Sequence, residues 1–247
     1  MFNGTVFNGG VRLQRCLPVL AASVVLLTGC GVAGTQFHPG VAAQVGDDTI
    51  TTKHVDQVTT DFCSAAEADA KAQPDAGALE PQPLRPLVAR FTLDLINQAA
   101  VEQLADDYDV EPTSAYKSRL AQLEPQLTKL NDAQHDAVVE ILGARYYLPD
   151  VLTTIGGIEL DEQGTSDASD EDKLAAGQDV LKKWIADHDV EVNPKYGIDV
   201  ENSQQVDTDL SYAAGQTAQD GIATEAKPGY AGALPDSQVC MLPASAA

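Results

Sequence analysis

The stretch VAAQVGDDTITTKHV, residues 41–55, decides the reading of the fold. Val41, Ala43 and Val45 alternate as in a strand, Gly46-Asp47-Asp48 is a turn signal, and Thr49-Ile50 resumes an extended pattern. Thr52 can then cap a helix that begins at Lys53. A short strand or hairpin thus leads directly into a helix whose apolar positions, Val55, Val58, Phe62 and Ala65, keep helical spacing.

Moving outward, that helix should end before Gln73-Pro74. Pro74, Pro81, Pro83 and Pro86 make residues 73–86 a loop, because prolines at this density cannot continue a helix. Residues 87–108 read as a long helix. Leu87, Val88, Phe91, Leu95 and Ala99 line one face, and Leu93, Ile96, Ala100 and Leu104 widen it. An apolar surface that wide belongs to a central helix with several neighbours.

Pro112 closes this segment, and Thr113 or Ser114 can cap the next. Tyr116, Leu120, Leu123, Leu127 and Leu130 then form a helical stripe in which Pro125 should place a kink. Asn131 or Asp132 caps a helix carrying Val138, Ile141, Leu142, Leu148, Leu152 and Ile155, expected to bend at Pro149. Residues 156–172 read as an acidic loop, with Gly156-Gly157 as the preceding helix's terminus. A last helix over residues 171–188 carries Leu174, Leu181, Trp184 and Ile185. Val190-Glu191-Val192 alternates like a strand, and the segment Asn193-Pro194-Lys195-Tyr196-Gly197 reads as a turn. Residues 201–247 hold few large apolar side chains and are expected to form an acidic, poorly ordered tail.

The N-terminus carries an address. Arg12 and Arg15 precede an apolar run, residues 17–27, of the length of a signal-peptide h-region. The run is short of the roughly 20 residues that a membrane-spanning helix needs. Leu27-Thr28-Gly29-Cys30 resembles the bacterial lipobox. That resemblance implies cleavage after Gly29 and a diacylglycerol on the Cys30 thiol. The expected organisation is a signal peptide over residues 1–29, a tether over 30–40, a helical domain over 41–200 and the tail. The location implied is the extracytoplasmic face of the cell membrane, held by lipid.

Charge and cysteines follow from that processing. The chain has 15 Lys+Arg against 37 Asp+Glu, a net −22. Removing residues 1–29 takes away Arg12 and Arg15 and no acid, which leaves −24. Such a surface argues against nucleic acid as a partner, since phosphate binding needs clustered cations. Of four cysteines, Cys16 leaves with the signal peptide and Cys30 carries the lipid. Cys63 and Cys240 remain in an oxidising compartment, where a disulfide between them is expected. Two free thiols or intermolecular pairing are the alternatives.

The segment Gln44-Val45-Gly46-Asp47-Asp48-Thr49-Ile50-Thr51, followed by a helix bearing Val55-Asp56, resembles the opening of the SurA N-terminal domain. Gly46-Asp47 stands where that family has Asn-Gly. SurA, PrsA and trigger-factor chaperone modules share the order strand, helices, strand, and their final strand returns to pair with the first. Residues 184–192, WIADHDVEV, look like that closing element. The resemblance implies a mainly α module with a small β element. It also implies a chaperone-like or scaffold role towards unfolded or exported polypeptides, or a dedicated subunit role in an envelope complex. Many relatives insert a parvulin isomerase domain. Here the longest gap, residues 156–172, is too short for one, so isomerase activity is not carried over and no catalytic residue is expected.

Other chemistry is thinly represented. His38, His54, His135 and His188 show no zinc-ligand spacing. No GxSxG elbow or phosphate-cradling glycine loop occurs. The acids between Glu159 and Asp172 lack the register of a calcium loop. They read as a solvated loop leading into a helix capped by Ser169, and Trp184 reads as core. No cofactor or metal is expected.

Overall fold

Gly46, at a φ of +53°, turns the chain between β1 (Val41–Val45) and β2 (Asp48–Thr51). The computed structural model describes residues 39–72, 79–206, 215, 220 and 229–243. Ala43 pairs with Ile50 and Val45 with Asp48. A register shift between Val41 and Ala43 buries both Ala42 and Ala43 rather than leaving strict alternation. The Gln103 amide donates to the Val45 carbonyl at 2.8 Å and to Asp48 Oδ2 at 2.9 Å, which holds the turn on the helix behind it.

Five α-helices follow among the described residues through 206: α1 (Thr52–Ala72), α2 (Leu84–Asp107), α3 (Ser114–Leu127), α4 (Asp132–Glu162) and α5 (Asp170–Asp187). The chain is therefore mainly helical with small antiparallel sheets. α1 begins one residue earlier than expected, and Thr51 rather than Thr52 accepts the His54 N–H. Thr113 and Asn131 cap α3 and α4, Asn131 in a reciprocal box with Gln134. Ser169 and Asp172 form the same box at α5. Three acids in the first turn of α5 suit its positive end.

α2 is the central helix. Leu87, Phe91, Leu95, Ile96, Ala100, Val101 and Leu104 are buried in one core with β1, α1, α4 and α5. Phe62 of α1 meets Phe91 edge to face at 4.8 Å. Arg145 of α4 donates to Asp94 of α2 at 2.8 Å. Trp184 is core, as expected: it is 6% exposed, and its indole N–H donates to Asp107 at 3.0 Å.

After α5 come β4 (Val190–Val192), then β5 (Ile198–Asp199) paired with β6 (Gln204–Gln205). β4 returns to β1 in antiparallel register, Ala43 with Val192 and Val45 with Val190, giving the sheet order β2-β1-β4. The closing strand thus lies where the resemblance placed it.

Three expectations need correction. Residues 73–86 are not all loop. β3 (Leu79–Pro83) pairs with β7 (Val239–Pro243), and α2 starts at Leu84 with Pro86 inside its first turn, where a missing N–H costs no helical bond. A two-stranded ribbon is all edge, so prolines at alternate positions of β3 leave Glu80 and Gln82 free to face the partner strand. Gly156-Gly157 do not end α4, which continues to Glu162. They occupy its contact with α5, the most extensive helix contact in the fold. Within the stretch expected as a poorly ordered tail, residues 229–243 form two 3-10 turns and β7.

α3 is fastened at its start by a neighbour. Asp150 of α4 accepts from the Thr113 N–H at 2.8 Å and from the Thr113 hydroxyl at 2.6 Å. Asp150→Ala should cost about 2 kcal/mol, the scale of hydrogen bonds to a charged group, read as a drop in the denaturant midpoint. An unchanged midpoint would show that this clamp contributes nothing.

Candidate functional site

The Cys63–Cys240 disulfide fixes the outer wall of the site. Its Cα atoms are 5.4 Å apart, and 177 residues separate its two ends in sequence. Cys240 is 1% exposed and belongs to the main core, as does Leu242 of the same strand. The pairing expected from the cysteine arithmetic is therefore present. Gly29 and Cys30, the cleavage and lipid positions, lie outside the described residues, as does His38.

Held this way, residues 229–243 close one side of a cavity of about 400 Å3. The start of α2 and the turn after β4 form the remainder. Leu84, Val88, Tyr230 and Leu234 supply apolar surface. Arg85 and Lys195 bring two cations and Asp56 one anion. The volume falls in the range of small-ligand clefts, about 300–1,000 Å3.

Local sequence explains the chemistry of this pocket. An α-helix leaves its first four N–H groups without intrahelical partners. At α2 those positions are Pro83, Leu84, Arg85 and Pro86, and the two prolines have no N–H to leave. Pro83, at the cap, also gives no side-chain hydrogen bond. Leu84 and Arg85, between the two prolines, both line the cavity.

Across from them, Asn193 accepts the Lys195 N–H at 3.1 Å and donates to the Val41 carbonyl at 3.1 Å, which ties the turn to β1. Gly197, at a φ of +60°, completes the turn in a left-handed conformation that glycine adopts without strain. This sets Tyr196 into the cavity wall at 7% exposure. The Lys195 ammonium sits 4.7 Å from the centre of the Tyr196 ring. Burial first, and the nearby Asp56 charge second, push the Tyr196 phenol up to about 12, so it stays a protonated donor at neutral pH. Among the described residues its hydroxyl has no hydrogen-bond partner.

Other polar groups are absorbed into the fold. His54 Nε2 lies 2.7 Å from Glu140, beside an acidic notch that also holds Asp48 and Glu102. His135 contacts Glu124 and Asp136, whose hydrogen bonds raise its basicity. His188 stacks on Trp184 at 4.0 Å. Among the described residues no group of three His, Cys, Asp or Glu could hold a metal, and no described helix is long and apolar enough to cross a membrane.

The α3 stripe is largely internal. Leu123 and Leu127 are buried with Ala65 and Val138 in a satellite cluster, so the helix with Pro125 offers no open apolar cradle there. Sequence reasoning took the segment around Tyr196 as a turn and missed its role in the cavity. The readable signal was Pro83-Leu84-Arg85-Pro86 at a helix start, where the two prolines bring no N–H. No protein-family model, no curated protein and no solved structure matches the chain.

Proposed function

We propose that this is a lipid-anchored, extracytoplasmic polypeptide-binding protein, a chaperone-like or scaffold lipoprotein without isomerase activity. The observation that carries the reading is the pairing of β1 with β4 at the segments that resemble the SurA-type opening and closing elements. α4 also passes to α5 through residues 163–169 alone, with no folded insert between them. The Leu27-Thr28-Gly29-Cys30 motif supports the anchor, and the net charge of −24 after processing favours basic exported clients.

Two measurements test this. Cys30→Ala should move the protein from the membrane fraction to the soluble fraction and abolish incorporation of labelled palmitate. Persistent membrane association of that variant removes the anchor from the proposal. Separately, the purified protein at equimolar ratio should slow the aggregation of a basic unfolded client at least severalfold. No effect on any unfolded client would sink the chaperone-like reading.

A second reading, a dedicated subunit of an envelope complex, draws on the buried α3 stripe, which leaves little open apolar surface for general clients. A single stoichiometric partner after cross-linking in cells, together with no effect on aggregation, selects it.

A further inference from the structure

We infer that the open edge of β2 takes up an extended polypeptide segment bearing lysine or arginine, as a fourth strand of the β2-β1-β4 sheet. This rests on the polypeptide-binding reading and gives it a place and a client chemistry.

The first observation is the edge itself. Among the described residues β2 pairs with β1 alone, so one side of Asp48–Thr51 has no strand beside it. Every second residue of an antiparallel strand turns its N–H and C=O away from its partner, and such groups are a template for another chain. Lysine or proline commonly blunts an edge of this kind, and β2 has neither. Asp48, Thr49 and Thr51 are exposed, so the strand is open to solvent.

The second observation is the groove along β2. It holds about 310 Å3, and all four residues of the strand line it. Alternation puts Asp48 and Ile50 on the sheet face nearer α2, with Ile50 buried and Asp48 bonded to Gln103. Leu95 and Ala99 of α2 supply apolar surface, and Glu102 of α2 and Glu140 of α4 add their acids to Asp48. No lysine or arginine lines the groove. Asp48 and Glu102 accept from the neutral amides of Gln103 and Gln98, and Glu140 meets His54. None of the three acids pairs with a lysine or arginine among the described residues.

Together these features specify the occupant. A strand added beside β2 turns alternate side chains towards α2. A lysine or arginine there can lay its methylene stem on Leu95 and Ala99 and bring its charge to the acids. An acidic or purely apolar strand leaves the three carboxylates without a countercharge. A second copy of this chain, at a net −22, brings like charge to the same edge.

The test is calorimetric titration of the full chain, at low ionic strength, with acetyl-Val-Lys-Val-Lys-Val-amide. The same peptide built with D-lysines keeps composition and charge but cannot turn both lysines inward along an L-strand. A third peptide has glutamate at both lysine positions. The L-lysine peptide should bind about tenfold more tightly than its D-lysine counterpart, and the glutamate peptide should give no heat. Glu102 is exposed and bonds Gln98 of its own helix, so Glu102→Gln keeps the fold. That variant and Glu140→Gln should each weaken the L-lysine peptide severalfold, whereas Glu171→Gln, at the start of α5, should not. Amide exchange within Asp48–Thr51 should slow on binding, which attraction between charges alone would not cause. Equal binding of the two lysine peptides, equal binding of the glutamate peptide, or unchanged binding by both groove variants overturns the inference. No heat from the L-lysine peptide, with a protein that still slows client aggregation, overturns this site and leaves the polypeptide-binding reading. Loss of both overturns both.

Discussion

Gly177→Ala is expected to cost about 3 kcal/mol or more, and Gly177→Val to prevent folding. A Cβ at Gly177 would collide with the backbone carbonyl of Leu152 on α4, and one at Gly156 with the carbonyl of Lys173 on α5. Both obstacles are backbone atoms, so neither rotates away, and α4 and α5 must part along their closest contact. Overpacking a well-fitted core ordinarily costs 1–3 kcal/mol, roughly, and more where the neighbours cannot yield. A domain has only about 5–15 kcal/mol in total. Gly157 serves as control, because a Cβ there would meet only the flexible Lys173 side chain at 3.6 Å. Gly157→Ala should be neutral or slightly stabilising, given alanine's better helix propensity. Equal melting temperatures for Gly177→Ala and Gly157→Ala would refute the close crossing.

Loss of the Cys63–Cys240 bridge is the second large effect. Closing a loop of 177 residues restricts the unfolded chain by about 5 kcal/mol in the chain-entropy account, and measured losses for native bridges run about 2–5 kcal/mol. Reduction, or Cys240→Ser, should therefore lower the melting temperature by many degrees. Local consequences should concentrate in β3 and β7, whose amide exchange should accelerate before that of α2 or α4. Unchanged melting and unchanged β7 protection after complete reduction would show that the strand pairing holds without the bridge.

Much of the helical frame was legible because its signals are local. The hairpin turn at Gly46, the caps at Thr113, Asn131 and Ser169, and the alternation at Val190-Glu191-Val192 each act within a few residues. What escaped depends on partners far along the chain. The prolines of β3 read as loop until β7 arrives from about 160 residues away to pair with their neighbours. Gly156-Gly157 in an acidic context read as a helix end, because the steric purpose of Gly156 depends on Lys173 and Gly177 of another helix. The cavity shows the same limit. Tyr196 has no periodic signal, and Tyr230 and Leu234 are isolated apolar residues in a polar stretch. Only the disulfide hinted that this stretch returns to the core.

The place of β1 in its sheet has a mechanical consequence. β1, which begins at Val41, is the first described strand after the proposed lipid site at Cys30. That strand is the middle one of three, bonded to β2 on one side and β4 on the other. Asn193 adds bonds to the carbonyls of Val41 and Ala42, and the Thr52 N–H donates to the Gly40 carbonyl at 2.8 Å. Under the proposed anchor, a pull entering at Val41 would load both ladders together in shear rather than peel an outer strand one bond at a time.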